Sequence, residues 1–230
     1  MQGAYLVQSR EAIETLVSLQ TETGNRSRFG NPEKFKTMGE RIAELHRTVA
    51  ENAVRAAALA GDMTRTEVVR HMEAKKLAER SSQAIRTVAQ EIKAKAEYLQ
   101  VRGQEVADEA LAPRAGYAAL DSEIRGWMRE AVKTPEGMAK VSELAKTDAT
   151  IAAIIYHSPQ FLTGLSESLH TKMRLQAVER FAPNAYAMLN EGIELQALAP
   201  RYERVVSEIH NAFYSPHLAD KGATRVELGD

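Results

Sequence analysis

Cysteine is absent from this 230-residue sequence. That removes a disulfide framework, a thiolate zinc or iron–sulfur centre and a cysteine nucleophile. Aromatic residues are scarce, 6% of the chain with a single Trp, although hydrophobic residues reach 44%. Much of the apolar content is therefore Ala, Leu, Ile and Val. An excess of one charge is missing too: 30 Lys and Arg stand against 31 Asp and Glu, a net charge of -1. Such balance excludes a broad electrostatic grip on nucleic acid or anionic lipid. The most apolar run, 149–156 (ATIAAIIY), falls far short of the roughly 20 residues of a membrane span. The opening MQGAYLVQS lacks the basic and apolar regions of a signal peptide. No membrane span is expected, and the length allows one large domain or two small ones.

The signatures of common chemistries are missing as well. There is no Gly-rich loop ending in Lys-Ser or Lys-Thr, no GxGxxG after a strand and no Gly-x-Ser-x-Gly elbow. None of the six histidines sits four residues from another around a Glu, the spacing that puts two imidazoles on one helix face. His71 and Glu73 are two apart and face differently, and Pro216 separates His210 from His217. Glu167 with His170 fits the Glu-x-x-His of di-metal helical bundles, but that chemistry uses two such pairs. At Glu67 and Glu194 the partner position holds Arg70 and Ala197. No catalytic residue, metal site or cofactor is expected, and the chain reads as a non-enzyme. A bundle enzyme using Glu167 and His170 at a metal is the alternative that elemental analysis would reveal.

What is present is helical periodicity. The first segment, 4–22, has Leu6, Ile13, Leu16 and Val17 at helical spacing, and the polar stretch 23–30 reads as a loop. Asn31-Pro32-Glu33 predicts the start of a second helix, with Asn31 as N-cap and Pro32 in the first turn. Along it Phe35, Met38, Ile42, Leu45, Val49, Asn52, Ala56, Leu59 and Met63 follow alternating steps of three and four. That is a heptad seam with Asn52 as its only polar member. Thr64 and Glu67 form a capping box, and no Pro follows until Pro113. Ile85, Val88, Ile92, Ala96, Leu99, Gly103, Val106 and Ala110 continue a seam, with a four-four step at Ile92 that resembles a stutter. A helix over 65–112 would be about 70 Å long, and the short turn before it folds the two helices antiparallel. The first helix is expected to cover the excess length. The seam or interface residues are then Phe35, Met38, Ile42, Leu45, Val49, Asn52, Leu59, Ile85, Val88, Ile92, Leu99 and Val106. Ala56, Ala96, Gly103 and Ala110 allow another helix to approach closely. Acidic and basic residues are nearly equal in number along 65–112, so no specific nucleic-acid partner is expected.

After Pro113 the breaks become frequent: Gly116, Thr134-Pro135, Thr147-Asp148, Ser158-Pro159, Gly164 and Ala182-Pro183. Each Thr-Pro or Ser-Pro offers an N-cap before a first-turn proline. The last long helix is predicted over 184–213, kinked or divided by Pro200. No run alternates as a strand does. The expected fold is all-α, a long antiparallel coiled-coil-like hairpin followed by a compact bundle of shorter helices. Its expected divisions are 1–112, 113–214 and a mobile tail at 215–230.

The segment Tyr156-His157-Ser158-Pro159-Gln160-Phe161-Leu162-Thr163-Gly164-Leu165-Ser166 and the helix after it resemble a stretch in small helical virion and assembly proteins of tailed bacteriophages. There a Pro–aromatic–Leu–x–Gly–Leu–Ser turn precedes a helix, and a Pro near Pro183 starts the next. The resemblance covers about residues 148–204, implies a virion component or assembly factor, and assigns no catalytic residues. In physical terms Ser158 caps, Pro159 starts a short turn, Gly164 ends it, and Phe161 and Leu165 pack inward. The expected function is that of a non-enzymatic structural or assembly protein, a bacteriophage virion component acting as a homo-oligomer. Its partners would be itself and virion proteins, and its place the cytoplasm during synthesis and then the virion. The alternative is a cytoplasmic adaptor or chaperone-like module that holds a partner helix.

Overall fold

The computed structural model describes residues 5–221, and among them every regular element is helical. In order they are α1 (Arg10–Leu19), α2 (Glu22–Phe29), a 3-10 turn at Pro32–Lys34, α3 (Gly39–Leu59) and the 44-residue α4 (Glu67–Ala110). Then follow α5 (Ala118–Ala131), α6 (Pro135–Thr147), α7 (Ala149–His157), α8 (Gln160–Thr163), α9 (Glu167–Phe181), α10 (Pro183–Phe213) and α11 (Pro216–Lys221). The chain divides into two compact units: unit 1 is Met1–Ala96 with Glu194–Asp230, and unit 2 is Glu97–Ile193. This division by packing falls inside α4 and α10, not at the change of composition after residue 112. Continuous backbone hydrogen bonding lets one helix contribute its side chains to two different cores.

Unit 1 is assembled from caps and long side chains. Ser9 caps α1 by accepting from the Ala12 amide, and Ala12, Leu16 and Leu19 are buried. The stretch 23–30, read as a loop, is mostly helix. Thr21 caps α2 at the Gly24 amide, and buried Asn25 donates from Nδ2 to the carbonyls of Leu19 and Thr21. A Cβ on Gly24 would lie 2.0 Å from the Ser18 carbonyl oxygen, so the helix enters here only because position 24 has no side chain. Gly30 ends α2 at φ 89°, in the left-handed region where glycine is preferred. Asn31 does cap, but a 3-10 turn that Phe35 closes, and α3 starts only at Gly39. At the start of α4 the expected capping box is replaced. Asp62 Oδ1 accepts from the amide and hydroxyl of Thr64, while Thr66 Oγ1 accepts from the Val69 amide.

Within unit 1, α3 and α4 are joined at Arg41–Glu91 and Asn52–Ser81, so residue numbers rise along one helix as they fall along the other. The residues of α10 in this unit bury Leu198, Tyr202, Val205, Val206 and Ile209. Tyr202 Oη donates to the Phe29 carbonyl at 2.9 Å, and its ring meets Phe29 edge-on at 5.2 Å. Segment 215–221, expected to be part of a mobile tail, forms α11. The Ser215 amide donates to His71 Nδ1 at 3.0 Å and Lys75 pairs with Asp220. The remainder of the predicted tail, 222–230, lies outside the described residues.

Unit 2 is built around α7. A helix that is apolar on all sides belongs in the interior, and α7 serves two clusters. Ala152 and Tyr156 face Ala107, Leu111, Ala177 and Val178, whereas Ile151, Ile154 and Ile155 face Met128, Val141, Leu165 and Met173. Asp148 caps α7 through the amides of Thr150 and Ile151. Thr134 caps α6 as its Thr-Pro pattern predicts. Gly103, expected to admit a helix, does so within this unit: a Cβ there would lie 2.9 Å from Leu189 of α10. The turn 156–166 differs from its reading in two respects. Ser158 closes α7 through its amide, to the Ile154 carbonyl, and gives α8 no side-chain cap. Leu165 is buried, but Phe161 is 72% exposed. A four-residue helix presents one face inward, and Leu162 and Thr163 occupy it.

Candidate functional site

Of the seam residues, Ile42, Leu45, Val49 and Asn52 of α3 and Ile85, Val88 and Ile92 of α4 are buried in unit 1, with Phe35 and Met38 just ahead of α3. Asn52 Nδ2 donates to Ser81 Oγ at 3.0 Å, a fully buried pair. Ser81 lies four residues before Ile85 and seven before Val88, so it extends the α4 seam by one step, a step that its polar side chain hides in an apolar pattern. Leu59 is half-exposed and Met63, at 85%, is outside the core. Leu99 and Val106 belong to unit 2, where Val106 packs beside Ala107 and Leu111.

Three of the histidines, His71, His170 and His210, make hydrogen bonds within the fold. His170 is buried, with Nε2 at 3.1 Å from the Ile155 carbonyl, while Glu167 is exposed. The Glu-x-x-His spacing therefore does not assemble a metal site, and no cluster of three metal-binding side chains occurs among the described residues. His210 bridges Ser82 and Tyr214, each at 3.0 Å. Burial lowers the pKa of His71, His210 and His46 below the usual histidine value, with Arg26 adding to the effect at His46. No helix among the described residues is long and apolar enough to cross a membrane.

Unit 2 carries a polar cluster and a cavity that the sequence did not announce. Tyr156 Oη donates to Asp108 Oδ1 at 2.8 Å and accepts from Gln104, and Arg174 lies 5.1 Å from its ring. Burial, with Asp108 second, pushes this phenol up to about 12. Beside it lies a cavity of about 490 Å³ between the end of α4, the loop after it, α5, α7 and the turn at 158–162. Its apolar wall includes Ala110, Ala149, Ala153 and Ile154, and its polar groups include Asp121, Arg125, Thr150 and His157. The volume falls in the range of small-molecule sites. A second cavity of about 460 Å³ in unit 1 is lined by Asn25, Arg26 and His46. There Asn25 Oδ1, Arg26 Nε and His46 Nε2 are buried without a hydrogen-bond partner among the described residues.

The surface of unit 2 also carries large apolar side chains. Leu120 and Trp127 are exposed on α5 and Tyr117 just before it, at steps of three and seven that keep them on one side. Phe161, Tyr98, Val101, Leu175 and Ile193 are exposed elsewhere on this unit. No family model, curated protein or solved structure matches the chain.

Proposed function

We propose that this is a non-enzymatic structural or assembly protein that works as a homo-oligomer. The observation that carries it is the exposed apolar row Tyr117, Leu120 and Trp127 at α5. Aromatic residues are enriched at protein interfaces, and exposed apolar side chains that gather on one side of a helix suit such a contact. A net charge of -1 leaves two copies little long-range repulsion to overcome. In this reading α3 and the first part of α4 form a stiff, coiled-coil-like antiparallel hairpin whose register Asn52 and Ser81 hold. The shorter helices after residue 113 form a compact bundle that offers the apolar row to a second copy. The turn 156–166 supports a bacteriophage virion or assembly role through its resemblance to such proteins.

Light scattering coupled to size exclusion, over a range of concentrations, tests the oligomer. A defined multiple of the chain mass is expected for the wild type, and a shift toward monomer for Trp127→Asp. A monomer at every concentration overturns the homo-oligomer and favours an adaptor that waits for a different partner.

A further inference from the structure

The core-facing row of α5 contains a residue that an ordinary amphipathic helix would not place there. Only two α5 residues are buried, Met128 and Asp121. Asp121 is 9% exposed, lines the 490 Å³ cavity, and makes no side-chain hydrogen bond or ion pair among the described residues. With no protein partner, the carboxylate is left to the solvent that fills the cavity, and a ligand donor that displaces that solvent would find an acceptor waiting. One turn along the same row, Arg125 is half-buried, lines the same cavity and also makes no ion pair among the described residues. Side chains at this spacing have Cβ atoms about 5–6 Å apart. Opposite charges so placed, held apart rather than paired, match a molecule with a cation and an anion on neighbouring atoms.

We propose that this cavity binds a small zwitterion with an apolar body, of the hydrophobic α-amino acid class. Asp121 accepts from the ammonium group and Arg125 donates to the carboxylate, in the two-bond geometry that guanidinium favours. Asp121 and Arg125 then each meet the opposite charge of the ligand, which a lone amine or lone acid would not allow, while Arg114, the other cation at the cavity, lies over the Tyr117 ring at 4.3 Å. Ala153, Ile154 and Leu162 receive the apolar body, and the small side chains Ala110 and Ala149 leave the room for it. Neither Asp121 nor Arg125 belongs to the exposed row Tyr117, Leu120 and Trp127, so the ligand proposal does not rest on oligomerisation.

The sole tryptophan, Trp127, lies on the same helix and reports binding by fluorescence. L-phenylalanine and L-leucine are titrated beside 2-phenylethylamine and 3-phenylpropanoate, which keep one charge each. A saturable change is expected for at least one amino acid, with both single-charge analogues at least ~10-fold weaker. Asp121→Asn, which keeps shape and removes charge, should weaken the amino acid by at least ~10-fold. Arg125→Gln should do the same while leaving the amine unaffected. Ala153→Phe should abolish binding by filling the cavity. Circular dichroism confirms that each variant folds, and Arg125→Gln, at a half-exposed position, remains as a test if Asp121→Asn does not. The proposal is overturned if no amino acid saturates by ~10 mM, if the amine or the acid binds as tightly as the zwitterion, or if folded Asp121→Asn binds like the wild type.

Discussion

Unit 1 closes around large side chains, with Tyr202, Phe29, Phe213, Ile42, Ile85 and Ile92 among the most deeply buried. It also ties distant stretches of chain together by polar contacts: Arg28–Glu208, Asn52–Ser81, Tyr202 to the Phe29 carbonyl, and Ser215 to His71. In unit 2 one core is closed by Met128, Ile154, Ile155, Leu165 and Met173, while the other is rich in alanine, with Ala107, Ala152, Ala177, Ala182 and Ala185 beside Leu111, Tyr156 and Val178. Small side chains bring helices close but leave room at the edges, and the cavity lined by Ala110, Ala149 and Ala153 lies beside that core. Unit 2 also leaves Tyr117, Leu120, Trp127 and Phe161 in solvent. A core of long interlocking residues favours a single packing, whereas one of alanines leaves space and surface for something else. In the proposed reading, the first unit supplies stiffness and the second supplies recognition.

The contrast is broken most severely at the seam. Ile42→Asp and Ile92→Asp place a charge at fully buried positions, and each should cost at least ~4 kcal/mol. Loss of helicity and of a cooperative melt is expected for both, and an unchanged melting temperature would refute a packed seam. Next in size are two phenol deletions. Tyr202→Phe strands the Phe29 carbonyl in a buried site, at about 1–3 kcal/mol. Tyr156→Phe in unit 2 leaves Asp108, an exposed residue, still able to bind water, and should cost about 0.5–1.5 kcal/mol. Urea midpoints of the two variants compare the units directly, and equal losses would erase the distinction.

Acidification acts on unit 1 through the buried His71 and the half-buried His46 and His210. His71, His210 and His46 have folded-state pKa values lowered from 6.5, chiefly by burial. Below that value the unfolded chain binds more protons than the folded one, so their contribution is complete above pH 6.5 and declines as pH falls toward the folded values. At His71 the cause is visible: Nδ1 accepts from the Ser215 amide, and a protonated ring has no lone pair to offer. Denaturation midpoints measured at about pH 7.5 and 5.5 should fall on acidification. His71→Asn, whose amide oxygen can replace Nδ1 as acceptor without titrating, should reduce that fall. The smallest effect on stability is expected at the surface. Trp127→Asp should change it by no more than ~0.5 kcal/mol while reducing self-association, and a large loss of stability would mark Trp127 as a packing residue instead.

Much of the fold was legible because helical periodicity accumulates over long segments. The expected helices over 65–112 and 184–213 correspond to α4 and α10 within a few residues, and α10 runs through Pro200, which was expected to kink or divide it. The misses share a cause, which is that local composition and tertiary packing disagreed. Thr23, Gly24, Asn25 and Ser27 of α2 are poor helix formers, yet Gly24, Asn25 and Phe29 are buried in the folded unit, where Asn25 bonds the carbonyls of Leu19 and Thr21. Phe161 is apolar and was placed inward, yet the short α8 turns it to solvent. The candidate cavity gave no local sign, since Asp121 and Arg125 look like the charged positions of any exposed helix.

Sequence alone determined the all-helical class, the lengths of the long helices, the apolar positions at which α3 and α4 are buried, and the chemistries excluded by the absence of cysteine and of known motifs. These follow from residue spacing and residue type, which act over a few turns of chain. Tertiary structure decided which residues share a core, why the units divide within α4 and α10, that α11 docks on His71, and that a carboxylate on α5 faces a cavity. Those depend on neighbours remote in sequence, because burial and hydrogen-bond satisfaction are properties of the space around a side chain.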